Sequence, residues 1–258
     1  MAQECVLVQH RGLVTRNQQD ALLVADQVWQ ADDVPPRAHS LNPKQGLCAV
    51  ADGVAASNKP QRASRALLEI LCDAQDDASD HFQDGWLGPR AVRRWIHPRL
   101  CRRLSSRPTL RTSATTLAML QWRDGHYSAL NVGDSRIYCI SPAGEWQQVS
   151  LDHTYYQSMI QRGELQRGAN VGQLYHDLEH MISADDSEDE FAIHWQTGQL
   201  PEAATWLLCT DGLHDSLSQT EMQALFDPKA PLTEIAERYR QAVLDAGAPD
   251  NLSFIFLR

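Results

Sequence analysis

Four short apolar runs in this chain each meet an aspartate where the run ends or begins, and that pattern restricts what the chain can fold into. Residues 48 to 53 read C-A-V-A-D-G, 129 to 136 read A-L-N-V-G-D-S-R, 206 to 213 read W-L-L-C-T-D-G-L, and 249 to 257 read P-D-N-L-S-F-I-F-L. A buried strand is rigid, and the turn beside it can present a carboxylate and a nearby backbone carbonyl. Strand ends of this kind are how a protein assembles oxygen ligands for a hard cation. With N-Q-Q-D at 17 to 20, the aspartates in question are Asp20, Asp52, Asp134, Asp211 and Asp250.

The rest of the chain supplies strands and helices in separate blocks. Cys5 to Val8 is a short strand, Ala21 to Trp29 reads as a second, and residues 31 to 46, with Pro35, Pro36 and Pro43, read as a loop into the central strand 47 to 51. Ala63, Ala66, Leu67, Ile70 and Leu71 recur at helical spacing within Gln61 to Ala74. Val92, Trp95, Ile96, Leu100 and Leu104 do the same within Gly85 to Arg107, whose seven arginines from 90 to 107 read as a solvated helix face. From Ser113 onward the texture is that of a meander, with Asp124-Gly125 as a hairpin turn.

Residues 152 to 200 break the meander, with a helix at Tyr155 to Arg162, glycines at 163, 168 and 172, and the acidic run D-D-S-E-D-E at 185 to 190. An excursion of this length inside a compact domain is usually functional, and it reads as a flap over the site. A strand at 205 to 209, helices near 218 to 226 and 232 to 246, and a strand at 252 to 257 follow. No stretch resembles a linker, so a single domain over 1–258 is expected, of the α+β class: a sandwich of antiparallel sheets with helices outside.

Composition narrows the setting. A net charge of −10 argues against nucleic acid and anionic membrane as partners. No apolar run approaches the roughly 20 residues of a membrane span, and the N-terminus lacks the basic-then-apolar order of a secretory signal. The six cysteines are scattered without a C-x-x-C pair, which suits thiols in a reducing cytoplasm.

Carboxylates that converge without cations repel one another and take up protons, so the five aspartates stay ionised together only around divalent metal. Oxygen donors favour Mg²⁺ or Mn²⁺ over zinc. Gly53 and Gly212, each directly after its aspartate, would let a backbone carbonyl approach an ion.

The segments in order resemble the motifs of the metal-dependent serine/threonine protein phosphatases, the PPM or type 2C class. N-Q-Q-D-A, V-A-D-G, G-D-S-R-I-Y, L-D-H-T, C-T-D-G-L and P-D-N-L-S match that family's sequence of motifs from near residue 12 to 257. The resemblance implies a β-sandwich of two antiparallel sheets flanked by helix pairs, with two Mg²⁺ or Mn²⁺ ions at one end and a third bound weakly. It implies that Asp52 bridges the two ions, that the Gly53 carbonyl binds one, and that Asp211 and Asp250 complete the pair. Asp20 would act mainly through water, and Asp134 would hold the third ion with Asp211. The implied reaction is hydrolysis of phosphoserine and phosphothreonine monoesters by direct attack of a metal-bridging water or hydroxide, since paired cations acidify water and offset phosphoryl charge. No C-x5-R phosphate loop, G-x-S-x-G elbow or Walker glycine loop is expected to supply another route.

Three departures fall on the substrate side. Thr15 stands where the family often has an arginine that grips phosphate, and the neighbouring Arg16 is the expected substitute. Val54, Ala55 and Ala56 replace glycines after the central D-G, and Ala114-Thr115-Thr116 replaces G-T-T, a change read as core packing. His153 is expected to be a structural hydrogen-bonding residue. The resemblance further implies a stand-alone bacterial signalling enzyme, monomeric and cytoplasmic, acting on phosphorylated proteins and opposing a Ser/Thr kinase. The departures motivate one rival, a catalytically weak protein of the same fold that binds a phosphoprotein or regulator. A metal-dependent phosphodiesterase or nuclease is another.

Overall fold

The computed structural model of the chain describes residues 3–77, 82–105, 107–166, 168–169, 171–172, 177–187 and 190–258. In chain order the first strands are β1 (Gln3–His10), β2 (Ala21–Val24), β3 (Gln27–Trp29), β4 (Asp33–Leu41) and β5 (Gln45–Ala51). Helix α1 (Pro60–Asp77) follows, then α2 (Pro89–Ala91), a π-helical turn at Val92–Ile96 and α3 (His97–Ser105). The meander comprises β6 (Ala114–Thr115), β7 (Leu117–Arg123), β8 (His126–Val132), β9 (Arg136–Ile140) and β10 (Trp146–Gln148). After α4 (Tyr155–Gln161) come β11 (Ile182–Ser183), β12 (His194–Gln199) and β13 (Thr205–Cys209), and then α5 (Asp211–His214), α6 (Gln219–Leu225), α7 (Leu232–Asp245) and β14 (Leu252–Leu257).

Two six-stranded antiparallel sheets result. One has the order β10-β9-β13-β14-β1-β4 and the other β12-β8-β7-β5-β2-β3, with β11 and β6 forming a separate two-stranded ladder. The inner strands β1, β2, β5, β7, β8, β13 and β14 are buried on both faces over most of their length, which is why they read as apolar runs, whereas the edge strands β3, β4, β10 and β12 are partly exposed. In β1, Cys5 and Leu7 face the opposite sheet, while Val6 and Val8 pack with α6 and α7. In β5, Cys48 and Val50 face the opposite sheet, while Leu47, Ala49 and Ala51 pack with α1 and α3. Three apolar cores therefore separate four layers, helix, sheet, sheet and helix.

Several expectations are corrected. The segment 31–46 is mostly strand: β4 lies at a sheet edge, where missing N–H donors are tolerated, and Pro35 and Pro36 fall at the register shift opposite Leu7 to Gln9. Ala21 to Trp29 is two strands, β2 paired with β3 around a turn in which Ala25 has φ 57°. The Gly85 to Arg107 helix begins only at Pro89 and carries the π turn, just past which Pro98 lacks the N–H that an α-helical bond would need. Within the excursion from 152 to 200, His194–Gln199 is the edge strand beside β8, and residues 188 and 189 of the acidic run lie outside the described residues.

Candidate active site

The alternation that builds the inter-sheet core also builds the site. One step beyond each inward-facing run, apolar side chains give way to polar ones: Gln9 after Leu7, Asp20 before Leu22, Asp52 after Val50, Thr116 before Ala118, and Ser253 before Ile255. These residues close one end of the sandwich. Gln9, Asp20, Thr116, Thr210 and Ser253 are all buried, and they satisfy one another as buried polar groups must. Gln9 Nε2 donates to Ser253 Oγ at 3.2 Å, Thr210 Oγ1 donates to Asp20 Oδ2 at 2.9 Å, and the Thr116 and Ser135 hydroxyls share a hydrogen bond at 2.7 Å.

Asp20 and Asp52 lie opposite each other, one residue beyond the Ala21–Ala51 pair of β2 and β5. The turn carrying Asp52 is tied down by the Ala114-Thr115-Thr116 stretch, through its two threonines. Thr115 Oγ1 and the Thr116 amide donate to the Asp52 carbonyl at 2.7 and 2.8 Å, and the Asp52 amide donates to Thr116 Oγ1 at 3.0 Å. The adjacent glycine is needed for a reason other than ion access: a Cβ on Gly53 would lie 2.5 Å from the Pro60 backbone at the start of α1. At Gly212 a Cβ would lie 1.9 Å from the Asn251 carbonyl oxygen, so α5 can abut β14 only through glycine.

Burial, and then the charge of Asp211, push the Asp20 carboxyl well above the usual carboxylate range. The same order of causes raises Asp52, with Asp20 and Asp134 adding to it, and raises Asp134, with Asp152 adding. Asp211 is raised by burial and then by Asp250, against a lowering influence from His214. No cationic side chain is among the leading influences on Asp20, Asp52 or Asp134. Asp250 is exposed, and its Oδ1 accepts from the Asn251 amide at 2.7 Å. Among the described residues no group of three His, Cys, Asp or Glu side chains is already arranged to hold an ion. Asp20 and Asp250 instead turn toward protein donors, whereas Asp134 Oδ1 is buried with no hydrogen-bond partner among the described residues.

The sequence reading missed the residues that hold this arrangement. Buried Asn251 spans the loop before Asp20: its Nδ2 donates to the Arg11 carbonyl, Thr15 Oγ1 and the Asn17 carbonyl at 2.6, 2.8 and 3.1 Å, and its Oδ1 accepts from the Gln19 amide at 2.7 Å. His214 Nε2 lies 3.2 Å from the Asp134 carbonyl. Strand parity was the available signal for Gln9, Thr116 and Ser253; Asn251 is the asparagine of the P-D-N-L-S motif, and His214 had no signal beyond proximity to a motif aspartate. His153 has the structural role expected, with its amide donating to the Gly133 carbonyl and its Nδ1 accepting from the Gly133 amide, both at 3.0 Å.

On the substrate side, Thr15 is committed to Asn251, and Arg11 to Asp32 at 3.4 Å. Arg16 is exposed. The spacing C-x5-R does occur, at Cys5 to Arg11 and at Cys101 to Arg107. Cys5 lies in β1 and Cys101 in α3, and burial pushes the Cys101 thiol up to about 11, so neither cysteine sits in a phosphate loop.

An α+β sandwich that ends in an acid-rich, oxygen-donor centre is the class this molecule falls into. The sequence profile of the protein phosphatase 2C family matches residues 30–252, and the chain belongs to that family. It is 25% identical over 210 residues, 81% of its length, to the serine/threonine protein phosphatase PstP of Mycobacterium tuberculosis, and spans 39% of that protein. With the serine/threonine phosphatase stp of Listeria monocytogenes it shares 23% identity over 223 residues, covering 83% of this chain and 84% of that protein. The crystal structure of the PstP catalytic domain in complex with two manganese ions superposes with a TM-score of 0.72 at 23% identity, covering 99% of this chain and 97% of that one.

Proposed function

We propose that this chain is a Mg²⁺- or Mn²⁺-dependent protein phosphatase that hydrolyses phosphoserine and phosphothreonine monoesters. The observation that carries the reading is the set of aspartates delivered to one end of the sandwich from separate strand ends and mutually repelling, three of which, Asp20, Asp52 and Asp134, have no cationic side chain among their leading influences. Oxygen-only donors, together with an orphaned Asp134 oxygen, fit hard divalent cations. Asp52, the Gly53 carbonyl, Asp211 and Asp250 would hold two ions, with Asp20 acting through water and Asp134 joining Asp211 at a third. When bound, such cations acidify water and neutralise charge on phosphoryl oxygens.

The chain's own residues supply the positioning. Thr115 and Thr116 fix the Asp52 turn, His153 fixes the Gly133 turn before Asp134, and Asn251 fixes the loop that presents Arg16. Arg16 is the guanidinium offered to the phosphate, since Arg11 is paired and Thr15 has no charge. Residues 1–258 are read as one phosphatase domain, an assignment supported by the core shared between both sheets. A cytoplasmic setting is supported by six cysteines that are thiols rather than disulfides. Among the described residues no helix is long and apolar enough to cross a membrane. The substrates would be phosphoproteins modified by a Ser/Thr kinase, and the working unit a monomer.

The test is steady-state hydrolysis of p-nitrophenyl phosphate and a phosphothreonine peptide with Mn²⁺, beside the Asp211→Ala variant. Turnover that depends on metal and falls by about 10²-fold or more in the variant is expected. Wild-type protein with no metal-dependent turnover would refute the reading.

A further inference from the structure

Among the described residues three large hydrophobic side chains are exposed, and two of them are consecutive: Leu13 at 64% and Val14 at 72%, with Tyr155 at the start of α4 as the third. Single exposed apolar residues are ordinary, whereas a pair side by side in one loop asks for a reason. A loose loop would fold two such side chains against the protein, and here the backbone prevents it. Gly12 has φ 85°, and a Cβ there would collide with the Asp250 carbonyl, while the Leu13 amide donates to the Ala248 carbonyl at 2.9 Å. On the other flank Thr15 turns inward, its hydroxyl donating to the Arg11 carbonyl and accepting from Asn251 Nδ2 at 2.8 Å. Both flanks of the pair are thus fastened to residues 248–251, which leaves Leu13 and Val14 facing solvent. The pair also sits at the mouth of the acidic centre. Asp250, whose backbone Gly12 abuts, is exposed, so the centre meets solvent there. Arg16, the exposed guanidinium two residues beyond Val14, has its Cα within about 8 Å of that of Val14.

We propose that Leu13 and Val14 form an apolar contact for one side chain of a polypeptide substrate, an aliphatic residue within three positions of the phosphorylated one. The proposal rests on the phosphatase reading for the nature of the substrate, but the exposure and bracing of the pair are independent of it. Reach allows the contact: each residue away from the phosphoresidue adds at most about 3.8 Å, so a near neighbour of a residue held at the centre arrives at the loop. Size selects the occupant. Two side chains offer far less than the roughly 800 Å² per partner of a stable protein interface, so they cannot hold a second copy alone, and they suit a substrate held chiefly at the metal centre. The net charge of −10 disfavours an anionic lipid surface. Because the loop is already ordered, the contact adds affinity at little cost in entropy.

The Mn²⁺-loaded protein is assayed with phosphothreonine peptides that carry leucine or glutamine at each of the three positions on either side of the phosphoresidue. The same pairs are built with a non-hydrolysable phosphonate and measured for binding by fluorescence anisotropy. Wild type should favour leucine at one of these positions by about three- to tenfold in kcat/KM, chiefly through KM, the scale of partly burying one apolar side chain. Leu13→Ser combined with Val14→Thr should bring the ratio near one, whereas Leu13→Met combined with Val14→Ile should keep it. Each ratio compares two peptides on one protein, so a general loss of activity or stability leaves it unmoved. No leucine preference in the wild type, or one that survives Leu13→Ser with Val14→Thr, overturns the contact. A dimer in analytical ultracentrifugation that this polar variant dissolves assigns the pair to a second copy and overturns it likewise. A leucine preference in binding that the polar variant abolishes, without turnover of any peptide, supports the contact and overturns the phosphatase reading instead. Protein that neither binds nor hydrolyses any of the peptides overturns both.

Discussion

Asp134 keeps one carboxylate oxygen buried without a hydrogen-bond partner among the described residues, while burial and then the Asp211 charge push its pKa upward. Such a side chain weakens the metal-free protein near neutral pH, because folding desolvates part of a charge and sets it beside other carboxylates. An asparagine there has the same shape and no charge, and its amide can donate toward the acidic neighbours. Asp134→Asn should therefore stabilise the metal-free protein by about 0.5–2 kcal/mol while reducing the stabilisation gained on adding Mn²⁺. Urea denaturation with and without Mn²⁺ reads both effects. A metal-free midpoint that falls in the variant would show that the carboxylate is not under strain.

At the scale of elements, the loop between β1 and β2 has no regular structure and takes its shape from Asn251 at the start of β14. One side chain satisfies four polar groups of that loop, so its removal leaves several buried partners unpaired. Asn251→Ala should cost about 2–4 kcal/mol, and KM for a phosphopeptide should rise as the Arg16 loop loses its anchor. A denaturation midpoint close to wild type would mean that the loop is held by something else. The aspartates were legible in the sequence because each marks the end of an apolar run, a local signal. Gln9, Thr116 and Ser253 carry the same information, but a lone polar residue beside a strand gains meaning only when the parity of its neighbours is known. β4 was hidden by Pro35 and Pro36, which argue against a strand unless it is an edge strand, and edge position is a property of the whole sheet. The roles of Asn251 and His214 depend on contacts between segments far apart in the chain, and no local pattern encodes those.

For the whole molecule, two titrations oppose each other across the acid range. Burial lowers the His153 pKa from its ordinary 6.5 to about 4, so the folded state holds this histidine neutral. Its contribution is complete above the unfolded value and is lost as pH falls from 6.5 toward 4, about 3 kcal/mol in all. Asp20, Asp52, Asp134 and Asp211 have raised folded values, so their repulsion is present above those values and relieved as pH falls through them. Acid thus weakens the Gly133 turn while relaxing the carboxylate centre, and the metal-free protein should respond weakly to mild acid. Divalent cations change the balance, because they bind the ionised carboxylates and compete with the same protons. Saturating Mn²⁺ should therefore raise the melting temperature more at about pH 7.5 than at about pH 5, where protons already neutralise the centre. Differential scanning fluorimetry at both pH values, with and without Mn²⁺, makes the comparison. A metal-induced shift that is equal or larger in acid would separate cation binding from these aspartates and place it elsewhere on the protein.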